Sequence, residues 1–391
     1  MKSEKRTVYL DNAATTFPKP DTVTNAIVRC MRESGGNPGR GSHRMALRAA
    51  EIIYACREEA ANFFGADGAE RIVFTMNTTY ALNIAVKSVL RAGDHVLIGN
   101  MEHNSVLRPV AALAEQGKIT YTTFNVRGTT EEILGNIRKT VRTNTRALVC
   151  AHIPNTSNVE LPIAEIGAFC RKRGTLFIVD GAQSAGHVPI NVRDMSIDML
   201  CVPGHKGLYG PQGTGMIVAG SDALLSGNTL MEGGSGIHSL DRRMPDVLPE
   251  RYEAGTLPTP AIAGLLEGIR FVKRIGIAEI HDAEAELWHQ AYDRLSEMPS
   301  VQLYEKKPGG VIVFNIDGLS AADVSELLDR ERICVRSGYH CASMAHRALG
   351  TIKTGAVRAS FSVFNTQRDI QTFTDAVRKI IHERKKELLH S

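Results

Sequence analysis

The stretch Val202-Pro203-Gly204-His205-Lys206-Gly207-Leu208-Tyr209-Gly210-Pro211-Gln212-Gly213 sets a lysine among glycines directly after an apolar run. A lysine placed this way is conformationally held yet sterically open, which suits an amine that forms a Schiff base with an aldehyde cofactor. A phosphate-contacting or merely exposed loop lysine fits the same segment. Ile178-Val179-Asp180-Gly181-Ala182-Gln183 puts a carboxylate at the end of a second apolar run, and open α/β sheets bind ligands at the carboxyl ends of their strands. In isolation Asp180 reads as a helix cap. Taken with Lys206, it is the acid that pyridoxal phosphate needs to keep its ring nitrogen protonated, so that the ring acts as an electron sink. Phe74-Thr75-Met76-Asn77-Thr78-Thr79 runs from a strand pattern into a helix start, where backbone N–H groups and hydroxyls suit a phosphate. Capping threonines look the same. In Glu102-His103-Asn104-Ser105 the imidazole of His103 is placed to stack on a flat ring, although a loop histidine also reads as plain surface.

These segments need a frame that brings them together. Short β-branched runs over 72–74, 96–98, 147–150, 176–179, 199–202 and 216–218 read as buried strands. Between the first two, Leu82, Ala85, Val86 and Val89 share one face of a helix that Thr78 or Thr79 would cap. Pro162 opens another helix at its first turn. Such alternation predicts an α/β domain with a mostly parallel sheet covered by helices. After about residue 258 the texture changes to a long helical stretch over 261–295, strands near 311–316, 333–336 and 357–361, and a helix over 321–329. The last run carries Ile370, Phe373, Val377 and Ile380 at helical spacing. Arg384, Lys385 and Lys386 form its solvated basic end. The expected organisation is an N-terminal segment over 1–20 near the small domain, a large cofactor-binding domain over 21–258 and a small α+β domain over 259–391.

The 391 residues carry 46 Lys and Arg against 42 Asp and Glu, a net charge of +4 that is too weak to imply nucleic acid as the partner. No apolar run approaches the roughly 18 residues of a membrane span. Residues 1–6 lack the apolar core of an export signal, so a cytoplasmic protein is expected. The 7 cysteines are scattered, with no CxxC pair and no metal-ligand spacing with histidine. Reduced thiols and no metal follow as expectations.

The four segments together resemble the fold-type I, class V aminotransferase-like family of pyridoxal phosphate enzymes, and the opening Tyr9-Leu10-Asp11-Asn12-Ala13-Ala14-Thr15-Thr16 is similar to the start of its members. Arg336-Ser337-Gly338-Tyr339-His340-Cys341-Ala342 resembles the RxGHHCA element of group II cysteine desulfurases and selenocysteine lyases, with Tyr339 in place of the first histidine. Val357-Arg358-Ala359-Ser360 and Phe364-Asn365-Thr366 match the family's arginine-bearing strand and the turn after it. An ordinary thiol is only a few per cent thiolate near neutrality. The cationic Arg336, and proton exchange with His340, would raise that fraction where the fold brings them close to Cys341. Cys334, in an apolar strand, reads as inert packing.

What the resemblance implies is a cysteine desulfurase that converts L-cysteine to L-alanine and leaves a persulfide on Cys341 for a sulfur-acceptor protein. Lys206 would hold the cofactor and later take the α-proton, Asp180 would face the ring nitrogen, Gln183 the ring hydroxyl, and His103 the ring face. Thr78 and His205 would hold the phosphate, with Thr256 reaching in from the second subunit of a homodimer. Arg358 would fork onto the substrate carboxylate, with Asn158, Arg336 and His43 lining the same pocket. His43 equally fits a cap on the helix that follows it. Pro203, Asn104 and Tyr339 depart from the family pattern. Selenocysteine lyase activity on L-selenocysteine and class V aminotransfer without sulfur release stay open as alternatives.

Overall fold

The computed structural model describes residues 6–39 and 41–390, and side chains through Lys386. Most of the polar start, residues 1–5, lies outside the described residues, as does Arg40. The chain divides into two compact units. One comprises the segment ending at Pro18, Pro154–Val159, and the chain from Ala278 on; the other comprises Lys19–Ile153 and Glu160–Ile277.

After the short strand β1 (Val8–Tyr9) the larger unit starts with α1 (Asp21–Glu33) and α2 (Arg44–Phe64). It continues through β2 (Ile72–Thr75), α3 (Thr78–Val89), β3 (His95–Gly99), α4 (Asn104–Glu115), β4 (Thr120–Phe124), α5 (Thr130–Thr140) and β5 (Thr145–Ala151). The remainder is α6 (Ile163–Arg173), β6 (Leu176–Asp180), β7 (Met199–Pro203), β8 (Gly215–Ala219) and α7 (Thr259–Ile275). Its seven strands lie in the order β2-β8-β7-β6-β5-β3-β4. β4, β3, β5, β6 and β7 pair in parallel, and β8 pairs antiparallel with both of its neighbours. The central strands are buried on both faces, which is why they read as continuous apolar runs. The sequence pattern missed β4: it is a polar edge strand of Thr, Tyr and Phe with half-exposed side chains. Chain order reverses at β3, which has β4 on one side and β5 on the other, so the crevice between the carboxyl ends of β3 and β5 is a topological switch point.

The smaller unit holds α8 (Ile277–Ser296), β9 (Val301–Leu303), β10 (Val311–Ile316), α9 (Ala321–Arg330), β11 (Ile333–Cys334) and β12 (Arg336–Gly338), followed by α10 (Ser343–Leu349), β13 (Ala356–Ser360) and α11 (Gln367–His390). An antiparallel sheet in the order β12-β13-β10-β9 carries its core, and β1 adds to β11 in parallel. Trp288, Phe314 and Phe373 fill that core together with Ile370, Val377 and Ile380, the predicted stripe of the last helix.

The structure departs from the expected domain limits. The helical stretch expected over 261–295 is two helices broken at Gly276, whose φ of 101° is costly for a side-chain-bearing residue. Its first half belongs to the larger unit, because the apolar face of α7 packs on α1 and α2. Ala263 buries against Ala26 and Cys30, and a Cβ on Gly264 would stand 2.8 Å from Ile27. The six residues Pro154–Val159 belong with the smaller unit, which no composition shift announces.

Candidate active site

In the larger unit, the carboxyl ends of β3, β6 and β7 present the expected residues. Lys206 is half-buried in the loop after β7. Its carbonyl accepts from Tyr209 N at 2.8 Å, and Gly210 N donates to Gly204 O at 2.8 Å, which closes the loop on itself. The glycines are required by backbone packing. A Cβ on Gly207 would meet Ala185 O at 2.3 Å, and one on Gly186, at φ +87°, would meet Gly207 O at 2.1 Å. The lysine loop therefore lies flush on the turn that follows Asp180.

Asp180 ends β6 and is 4% exposed. Its Oδ1 accepts from Ala182 N at 2.9 Å. Burial pushes the carboxyl up, while the Ala182 N–H and the charge of Lys206 pull it back. Gln183 is half-buried in the adjoining turn. His205 is half-buried, and its imidazole is pushed down to about 4 by burial and by the charges of Lys206 and Lys19. It is a neutral ring at physiological pH. Sequence reasoning missed Lys19: its Nζ donates to His205 O at 2.8 Å, next to Lys206, and burial lowers it to about 8. The only signal was a lysine between two prolines.

Thr78 is the first residue of α3, and the N-cap is Asn77, not a threonine: its side chain accepts from Tyr80 N at 3.1 Å. Thr78 thus keeps its hydroxyl, which is buried and makes no hydrogen bond. His103 caps α4, with Nδ1 accepting from Ser105 N at 3.0 Å. A backbone N–H only donates, so the ring proton of neutral His103 sits on Nε2. Ser105 Oγ joins Nδ1 (2.8 Å) to Thr79 Oγ1 (2.7 Å) and so connects the starts of the two helices. Glu102, also missed, is 1% exposed. Its Oε1 accepts from Ala151 N at 3.0 Å and thereby links the ends of β3 and β5. Burial, with Asp180 adding to it, holds this carboxyl well above the usual range.

Two of the expected residues in this unit do other work or lie on its surface. His43 caps α2, its Nδ1 accepting from Ala46 N at 3.4 Å, so the capping alternative describes it in this structure. Thr256 is exposed, with Oγ1 accepting from Asn37 Nδ2 at 3.2 Å. The loop it ends is tied down by Glu253, which pairs with Arg57 and accepts from Phe74 N at 2.6 Å.

In the smaller unit, Arg358 is 1% exposed on β13. Nη1 donates to Asn155 O at 3.0 Å and Nη2 to Asp11 Oδ1 at 3.1 Å, while Nε is buried without a hydrogen bond. Asp11 holds the guanidinium as a cation against its burial, and Arg336 opposes it. The opening motif has a structural purpose here: Asn12 Nδ2 donates to Ser360 O (3.0 Å) and to Asn365 Oδ1 (3.1 Å), and Asn365 Nδ2 donates to Tyr9 O (3.0 Å). Asn158 is a correction. Its amide donates to Lys307 O and Val311 O at 2.8 Å each, and its Oδ1 accepts from Val311 N at 3.1 Å. With both amide hydrogens and the oxygen committed to backbone, it braces the start of β10 and has no donor left for a substrate carboxylate. Asn155 is the asparagine beside Arg358, and its Nδ2 donates to His340 O at 2.7 Å.

Cys341 lies in the turn between β12 and α10 and is the only exposed cysteine of the seven. Burial raises the other six thiols, Cys56 and Cys170 to about 12. His340 and Cys341 both have left-handed backbone, with φ of 49° and 53°. For residues with side chains that costs about 1–2 kcal/mol each, so the turn must be held. Ala342 N donates to Tyr339 O at 2.8 Å, and Asn155 holds the His340 carbonyl. The expected proton exchange between His340 and the thiol finds no support: the ring is 3% exposed, with Nδ1 on His346 Nε2 (3.2 Å) and Nε2 on Arg336 O (3.4 Å).

The donor set fits pyridoxal phosphate. It offers an amine on a held loop, a buried carboxyl that a cationic ring nitrogen would stabilise as carboxylate, and a buried unpaired hydroxyl at a helix N-terminus for an anion. Among the described residues there is no group of three or more His, Cys, Asp and Glu placed to hold a metal ion, and no helix long and apolar enough to cross a membrane.

Residues 8–373 match the family model for class-V aminotransferases. A probable cysteine desulfurase of Methanothermobacter thermautotrophicus is 35% identical over 381 residues, covering 95% of this chain and 94% of the relative. A cysteine desulfurase of Haloferax volcanii is 30% identical over 95% of this chain and 88% of its own length. Among solved structures, the apo cysteine desulfurase of Thermococcus onnurineus NA1 superposes with a TM-score of 0.88 at 31% identity, over 96% of this chain and 95% of that one.

Proposed function

The chain belongs to the class-V aminotransferase family, and on that premise we propose that it is a pyridoxal-phosphate-dependent cysteine desulfurase that works on L-cysteine and stores the removed sulfur on Cys341. The observation that carries this reading is the contrast among the thiols: five are buried and a sixth, Cys334, is half-buried, all six raised by burial, while the seventh is exposed on a held turn in the same unit as the buried Arg358 fork.

When bound, pyridoxal phosphate supplies an electron sink for bond-breaking at the substrate carbons. Lys206, Asp180, Gln183 and His103 would hold its ring, and Thr78 and His205 its phosphate, with Thr256 from a second copy of the chain. His205, being neutral, would donate one hydrogen bond without adding charge. Arg358 offers Nε and a share of its Nη groups to the substrate carboxylate, the planar geometry that a fork requires. Lys206 Nζ would serve as the base that takes the α-proton. Cys341 Sγ attacks the substrate sulfur. The sulfur–carbon bond breaks as the sulfur–sulfur bond forms, the electron pair stays with carbon, and a proton completes the methyl group of alanine. A protein or small-molecule acceptor must then take the sulfur to reset the thiol.

The test is to incubate the cofactor-loaded protein separately with L-cysteine and L-selenocysteine and to measure alanine and the mass gained at Cys341. One added sulfur at Cys341 with stoichiometric alanine supports the reading. Undiminished alanine from L-cysteine in Cys341→Ser would refute the persulfide. Amino transfer to a keto acid with no sulfur released would mean an aminotransferase, and cleavage of L-selenocysteine alone would mean a lyase.

A further inference from the structure

Beside Cys341 lies a polar chain that the mechanism above does not use. His340 Nε2 meets Arg336 O at 3.4 Å, His340 Nδ1 meets His346 Nε2 at 3.2 Å, and His346 Nδ1 meets Thr351 Oγ1 at 2.7 Å. The two imidazoles lie with ring planes 10° apart, and Tyr339 packs edge-on against His346. His346 is fully buried, and Thr351 is 1% exposed.

One end of this chain determines every proton in it. A backbone carbonyl only accepts, so His340 Nε2 carries the hydrogen and its Nδ1 is an acceptor. His346 Nε2 must then donate, which makes His346 Nδ1 an acceptor, and the Thr351 hydroxyl donates to it at 2.7 Å in preference to the longer, 3.5 Å contact with His346 O. Both rings are therefore neutral and singly protonated. A second proton on His340 would set two N–H groups against each other at the contact with His346, and one on His346 would face the Thr351 hydroxyl and turn it from donor to acceptor. The surroundings agree: burial and the cationic Arg358, followed by His346 and Arg336, push His340 down to about 3, and burial lowers His346.

We propose that His346, oriented by Thr351, is a positioning residue that clamps His340 and so holds the left-handed His340–Cys341 turn in the conformation that presents the thiol. The proposal rests on Cys341 being the sulfur-accepting nucleophile. His346 donates to the side chain of His340 while Asn155 donates to its carbonyl, so the residue is gripped at both ends. Nothing in the spacing of residues 340 and 346 marks this role, because the link is made by the turn that separates them.

The experiment uses the full-length, cofactor-loaded protein with His346→Phe, which keeps a flat ring but removes both hydrogen bonds, and His346→Gln, which keeps a donor toward His340. His346→Phe should lower the rate of persulfide formation at Cys341 by about tenfold or more, with KM for L-cysteine and cofactor absorbance nearly unchanged. His346→Gln should restore most of that rate. Equal rates in wild type and His346→Phe, or a glutamine variant no better than the phenylalanine one, would overturn the clamp. Should the phenylalanine variant fail to fold, ring-nitrogen NMR on the wild type decides independently: both rings must show the proton on Nε2, and a proton on Nδ1 of either contradicts the chain. Cys341→Ser, run alongside, separates the two ideas. If it still makes alanine from L-cysteine, the nucleophile reading fails; if it is dead while His346→Phe is unaffected, only the clamp fails.

Discussion

Arg358 Nη2 donates to Asp11 Oδ1 at 3.1 Å, joining a guanidinium buried on β13 to the opening motif of the chain. The Asp11 side chain is 22% exposed against 2% for Arg358, so the carboxylate is the partner that can give way to another anion. We predict that Asp11→Ala destabilises the smaller unit by about 3 kcal/mol, the lower end of the usual loss when a buried charge is left unpaired. Chemical denaturation reads this directly, and an unchanged midpoint would show that Asn155 alone suffices. Arg358→Lys keeps the charge but loses the fork, so KM for L-cysteine should rise by about tenfold or more, with cofactor absorbance intact.

Asp180 has a different dependence on its surroundings. Its burial favours the neutral form, and only the Ala182 N–H and Lys206 counter it. Asp180→Ala should reduce turnover by about two to four orders of magnitude, the equivalent of roughly 3–5 kcal/mol for removing one member of a buried charged pair. Alanine release under saturating L-cysteine is the measurement, and near-normal turnover would mean that no protonated ring nitrogen depends on this residue.

Lys19 ties the lysine loop from outside. Its Nζ, lowered to about 8 by burial, donates to the carbonyl of His205. A lysine whose folded pKa lies below its unfolded value of about 10.4 destabilises the fold below pH 8, and that penalty is relieved as pH rises from 8 to 10.4. Wild type should therefore gain stability relative to Lys19→Met across that window. The methionine variant should also bind pyridoxal phosphate more weakly, because the carbonyl next to Lys206 loses its donor. Parallel stability curves from pH 8 to 10 would argue against the assignment.

The acid limb follows from His205. Its folded pKa of about 4 lies below the unfolded value of about 6.5, so the unfolded chain takes the proton first and stability falls as pH drops from 6.5 to 4. A full proton of difference gives a slope of about 1.4 kcal/mol per pH unit. Buried carboxyls such as Asp180 and Glu102 act in the opposite sense, since their raised pKa values add stability as they protonate. The informative quantity is thus the difference between wild type and His205→Asn, which should be flat above pH 7 and diverge below 6.5. A constant offset down to pH 4 would mean that His205 titrates normally.

By itself, the order of residues determined the central strands of the larger sheet, because strands buried on both faces must be apolar throughout. It also put Lys206, Asp180, Thr78 and His103 at or just beyond the ends of apolar runs, which a short period reveals. The edge strand β4 stayed hidden because an edge needs no apolar run. The break at Gly276 was hidden because two consecutive helices share one periodicity, and only the packing of α7 on α1 and α2 assigns the first to the larger unit. Tertiary structure alone distinguished Asn155 from Asn158, three positions apart, by giving one a place beside Arg358 and His340 and committing the other to the backbone of residues 307 and 311. It alone joined Asp11 to Arg358 across 347 residues. Those choices are made by hydrogen bonds between groups far apart in the chain, and a hydrogen bond of that kind leaves no period, run or spacing for a sequence to show.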